Sequence, residues 1–363
     1  MAYTGLWRVL VKQGNIDEAL LAADKGRAQA LTDLMESRFL VLKNVPSNTV
    51  FQAMDRADVN LWVVSEGKQV QLRQSKLNGS VSENSGASQS FESFMLGVYT
   101  QLGVRSNVRC ENRSLDALSE DRSKVDQETK EDNPQASIQQ NKCLSTLYNT
   151  VMKPVADLVQ GDELLIIPDG PLWLAPYTAF KDGNSKYLIR LAPSLTSLRL
   201  IADCPDDYHK SSGALLVGDP WVAEVTNSQG EKLLEQLPCA KEEVEMIGKI
   251  LNITRITGRE ATKREVLKRL SSVSLVHFAA HGLVGARSRL KVWLALRAFM
   301  GAGARSVVVS LWAVEDKVTL EFMKCFYQHL AEGKPASESL NLAMKNLRES
   351  DEFRDIKYWA PFY

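Results

Sequence analysis

The sequence predicts an α/β protein in which a parallel-core sheet is flanked by helices and preceded by an α-helical hairpin. Three observations carry this reading. Short, continuous apolar runs of strand length recur through the second half of the chain, as strands buried on both faces require. Helical patterns lie between those runs, and alternation of this kind implies parallel strands joined by right-handed crossovers. The first forty residues show helical spacing only.

Residues 1–40 read as helix, tight turn, helix. Trp7, Leu10 and Val11 share a helical face, Gly14-Asn15 breaks the run, and Ile16, Ala19, Leu20 and Ala23 restart it. Asn15 or Asp17 is suited to cap the second helix. The small residues Ala19, Ala23 and Ala30 suit close helix–helix approach. The order of Trp, Leu, Gly, Ala-Leu and Ala is similar to the tail of a tetratricopeptide array, although one hairpin is fewer than such arrays need to bury a core. A plain helical hairpin packed on the next domain fits the same residues.

Residues 41–143 form a second region. Val59–Val64 and Lys68–Leu72 are β-rich and flank Ser65-Glu66-Gly67, a hairpin signal. A helical piece follows at Phe91–Leu102. Residues 75–90 and 105–141 are polar or charged and nearly free of large apolar side chains. Neither stretch buries enough surface to offset its ordering entropy, so both are expected as mobile loops.

Residues 144–363 form the third. A helix from Leu144 to about Val159 leads into the strand candidates Glu163–Pro168, Ala214–Gly218, Ser274–Ala279 and Ser306–Leu311, with Ile253–Ile256 as a further one. Helices are expected at Ala240–Leu251, Ala261–Leu270, Leu290–Ala302, Thr319–Leu330 and Ser337–Leu347. In such sheets chemistry collects at the carboxyl ends of the strands. The residues to examine are therefore Asp169-Gly170, Asp219-Pro220, His281-Gly282 and Trp312–Asp316.

Composition excludes several classes. The 363 residues hold 44 Lys+Arg against 44 Asp+Glu, a net charge of zero, which lacks the electrostatic footprint of a nucleic-acid binder. The five cysteines (Cys110, Cys143, Cys204, Cys239, Cys325) are odd in number and scattered. They read as reduced intracellular thiols, neither a disulfide framework nor a zinc site. The first residues lack a basic n-region and apolar h-region. No apolar run approaches the ~20 residues of a membrane span. A soluble, cytoplasmic protein with no cofactor, no metal, no nucleic acid and no membrane partner is expected.

His281-Gly282 is the most informative pair. A strand delivers His281 to the sheet edge, where an imidazole can act as general base and the Gly282 N–H can donate to an oxyanion. The same histidine would also serve simply to satisfy a hydrogen bond at a strand end. His277 with His281 gives His-x-x-x-His, but on a strand and without the glutamate of the zinc-protease helix, so zinc is not expected. No G-x-x-x-x-G-K-[ST], G-x-G-x-x-G or G-x-S-x-G occurs, which argues against phosphate-loop, dinucleotide and α/β-hydrolase chemistry.

A set of short motifs then falls in one order: Leu165–Leu172, Leu174–Tyr177, Tyr187–Arg190, Pro193–Leu195, Leu216–Pro220, Gly258–Lys263, His277–Gly282, Arg297–Phe299 with Gly301–Trp312, and Tyr358–Phe362. Together they resemble the CHAT domain, the caspase-like, separase-related domain found behind tetratricopeptide repeats, and the flavour is similar to the C-terminal part of large animal repeat proteins. The resemblance implies a cysteine-peptidase constellation on two neighbouring central strands. His281 corresponds to the family histidine (general base/acid) and Gly282 to its oxyanion donor. The nucleophilic cysteine has no counterpart, because none occurs from Leu283 to Arg305. Those 23 residues fit one crossover, whereas a further strand with its connections needs roughly 30 or more, so one central strand is expected to be missing. Cys239 and Cys325 lack the strand-end placement, although the helix N-terminus at Cys239 favours a thiolate. The resemblance thus implies a catalytically inactive, peptidase-like scaffold that meets protein partners through the helical hairpin. It leaves two alternatives: an active peptidase with a recruited thiol, and an inactive splice or truncation fragment.

Overall fold

The computed structural model describes residues 2–24, 46, 48–55, 57–65, 68–77, 87–104, 135–180, 187–205, 210, 212–221, 236–280, 299–300, 302–312 and 314–363. The chain opens with helix α1 (Ala2–Lys12) and a second helix, α2, over residues 16–24. Between them Gly14 takes φ +78°, a left-handed conformation that glycine adopts without steric cost.

Five strands follow in one sheet: β1 (Thr49–Asp55), β2 (Asp58–Val64), β3 (Gln71–Lys76), β4 (Glu163–Pro168) and β5 (Leu188–Leu191). Their order is β3-β2-β1-β4-β5. The first three are antiparallel, and β1, β4 and β5 run parallel. The expected hairpin is thus present as β2/β3, with its second strand at Gln71–Lys76 instead of Lys68–Leu72. Strand β1 stands at the sheet centre although no Gly, Pro or Asn punctuates its junction with β2.

Alternation along these strands sorts side chains to two faces. Val50, Leu61, Leu164 and Ile166 join a core shared with helix α3 (Ala87–Gln101) and helix α4 (Gln135–Val151). These helices begin inside the stretches 75–90 and 105–141 that composition reads as loops; most of the remainder of both stretches lies outside the described residues. Phe51, Trp62, Leu165 and Ile167 face the other way, toward Trp7, Ala19, Leu20 and Ala23 of the hairpin. Trp62 meets Phe51 and Trp7 edge-on, with ring centroids 5.6 and 5.9 Å apart. The small hairpin residues therefore serve close approach to a sheet. Asp24, fully buried at the end of α2, accepts hydrogen bonds from the Leu195 and Thr196 N–H groups (2.7 and 3.2 Å) and from the Thr196 hydroxyl (2.9 Å). It thereby satisfies the first turn of helix α5 (Leu195–Ala202) from across the core.

A second sheet holds three parallel strands, β7-β6-β8: β6 (Ala214–Pro220), β7 (Arg255–Gly258) and β8 (Leu275–Ala279). Helix α6 (Pro238–Leu251) crosses over from β6 to β7, and helix α7 (Lys263–Leu270) from β7 to β8. A Cβ at Gly218 would meet the Val244 side chain and stand 2.8 Å from the Ala240 carbonyl oxygen. Gly218 is required because α6 lies against β6 at that point.

Helix α8 (Asp316–Ala331), helix α9 (Ala336–Glu349) and the short helix α10 (Ile356–Trp359) complete the chain. The α/β architecture with a mostly parallel core, flanking helices and an N-terminal helical region agrees with a caspase-like fold. One strand expectation is corrected. Ser306–Leu311 joins neither sheet: Val309 and Tyr363 exchange N–H···O bonds of 3.0 Å, and the Leu311 N–H donates to Pro361. An apolar run shows that a segment is buried but not what it pairs with, and here the C-terminal residues take its backbone. Phe362 stacks on Phe322 and Tyr363 donates to the Ala175 carbonyl (2.9 Å), tying the last residues into the core. Most of the expected helix Leu290–Ala302 lies outside the described residues.

Candidate active site

The carboxyl ends of β6, β7 and β8 form one edge. Asp219 takes φ +43° at the end of β6, and its Oδ1 accepts the Leu237 N–H at 2.6 Å. That bond anchors the start of α6 at the same edge. Beside it the Trp221 N–H donates to the Gly258 carbonyl (2.9 Å), and the Arg259 guanidinium lies 4.5 Å from the Trp221 ring centroid. Strand β8 ends at Ala279, two residues before His281. His281 and Gly282 themselves lie outside the described residues.

Four of the cysteines are described, each partly buried, and none sits on a strand. Cys143 is on α4, Cys204 follows α5, Cys239 is in the first turn of α6, and Cys325 is on α8. Cys110 lies outside the described residues. At Cys325, burial first, and then the Glu321 and Glu332 carboxylates, push the thiol pKa up. Such a thiol holds less thiolate than a free one and is a poorer nucleophile.

The most organised polar cluster of this region involves His277 rather than His281. His277 is on β8, 8% exposed, between Glu243 of α6 and Tyr327 of α8. Its Nδ1 stands 3.0 Å from the Tyr327 hydroxyl. Its Nε2 is 3.1 Å from a Glu243 oxygen but off the line a hydrogen bond requires, so this contact is electrostatic. With the ring proton on Nε2, Nδ1 accepts from the tyrosine. Burial, and then the Glu243 carboxylate, raise the Tyr327 pKa well above the ordinary phenol value. Both ring nitrogens face protein side chains, so His277 is placed to hold β8 against two helices and not to meet a substrate.

Sequence reasoning examined His277 only as a metal ligand. The signal for its true setting was present on α6. Ala240, Val244 and Ile247 form a buried helical stripe, and Glu243 lies on it, 2% exposed. A carboxylate on an apolar stripe demands a buried partner. Asp24 was missed for the same reason, since its partners lie 171 and 172 residues away in sequence.

Comparison with known proteins places these elements in a family. The CHAT domain matches residues 141–298 and 294–363, more than half of the chain, in two pieces that share residues 294–298. Human tetratricopeptide repeat protein 28 is 22% identical over 540 residues, covering 99% of this chain and 22% of that protein. The mouse protein of the same name is 24% identical over 291 residues, covering 55% of this chain and 12% of that protein. The chain thus spans about a fifth or less of the length of these relatives. An alignment of 540 positions against 363 residues also means that the human protein carries residues with no counterpart in this chain. Among the described residues, no helix is long and apolar enough to cross a membrane.

Proposed function

Because the chain belongs to the CHAT domain family, we propose that it works as a catalytically inactive, cysteine-peptidase-like scaffold that binds other proteins. The observation that carries this reading is the edge at β8. The strand that leads to His281-Gly282 has β6 as its ladder partner among the described residues, and the 23 residues from Leu283 to Arg305 contain no cysteine. Nucleophilic catalysis needs a thiolate held within reach of the imidazole, and chance placement does not meet that geometry. The family match falls in two pieces that meet at residues 294–298, inside this same stretch, which supports the reading. The reading places the chain in the cytoplasm, where five scattered cysteines stay reduced. The hairpin's small residues are taken by its own sheet, so its outward side, with Leu6 and Val9 half-exposed, is what it offers to a partner.

One observation favours a second reading. The Asp219–Leu237 bond anchors the α6 start at the strand-end edge, and Cys239 lies in the first turn of α6. A helix N-terminus stabilises a thiolate, so Cys239 is the thiol to watch as a recruited nucleophile. An electrophilic thiol-directed activity probe separates the two. A scaffold gives no labelling that depends on His281, whereas one labelled cysteine whose labelling disappears in His281→Ala establishes the peptidase.

A further inference from the structure

We draw no further inference here: the strongest candidate, the outward face of helix α7, where Leu267 and Leu270 stand exposed beside Lys263, Arg264 and Lys268, is an apolar face for which nothing among the described residues shows what covers it.

Discussion

The five-stranded and three-stranded sheets of this chain are closed to different degrees. Along its central strands β1, β2 and β4 the first is buried on both faces, by α3 and α4 on one side and by the helical hairpin on the other. The second is closed by α6 and α8 on one face, and among the described residues α7 covers only β6 and β7 on the opposite one. Val276 and Phe278 of β8, the strand that leads to His281-Gly282, are 36% and 42% exposed, whereas β1 is almost wholly buried. The contrast separates positions whose side chains answer to packing from positions where a substitution leaves the core untouched.

The largest effect should come from the closed sheet. Trp62, fully buried between Phe51 and Trp7, should cost about 3–5 kcal/mol when replaced by Ala, whereas Phe278→Ala at a half-exposed position of β8 should change stability by less than about 0.5 kcal/mol. Urea denaturation of the two variants measures both, and equal costs would erase the contrast. Asp24→Ala comes next. It leaves buried N–H groups of α5 without their acceptor and should cost about 2 kcal/mol, with the loss read in the same titration. If it costs nothing, the hairpin is not integral to the sheet.

Gly218→Ala tests how closely the second sheet is sealed on its helical face. Overpacking against Val244 and Ala240 should cost about 1–3 kcal/mol, seen as a lower Tm. The smallest effect is a pH dependence. Burial raises the pKa of Tyr327 and of Tyr363 above the ordinary phenol value. The folded state therefore keeps protons that the unfolded chain releases. The stability these two tyrosines contribute is fully present below about pH 10 and falls as pH rises beyond it. Thermal melts between pH 8 and 11 should show that decline, and Tyr327→Phe should make it shallower.

Much of this was legible in the sequence. Glu163–Pro168 is a strand over the residues its apolar run marks, and β6, β8, α6, α8 and α9 agree with expectation to within a few residues. Long periodic segments report their burial directly. What was not legible depends on partners distant in sequence. Ser306–Leu311 has the composition of a sheet strand, but the C-terminal residues hold it. Gly218 closes the apolar run Ala214–Gly218, and only the packed helix reveals the close approach that requires glycine. His277 read as a discarded metal ligand until Glu243 and Tyr327 closed around it. His281 and Gly282, the residues on which the sequence reading of the site rests, lie outside the described residues, so their role stays with the proposal and its thiol test.

Hydrogen exchange read by mass spectrometry tests the contrast between the two sheets most directly. Among the described residues β8 has a ladder partner on one side only, so alternate backbone N–H groups along it lack a strand acceptor. Peptides covering Leu275–Ala279 should exchange on the order of 100-fold faster than those covering β1 and β4, which are flanked by strands on both sides. Protection of β8 equal to that of β4 would contradict the account, because it would mean that a further strand pairs with it.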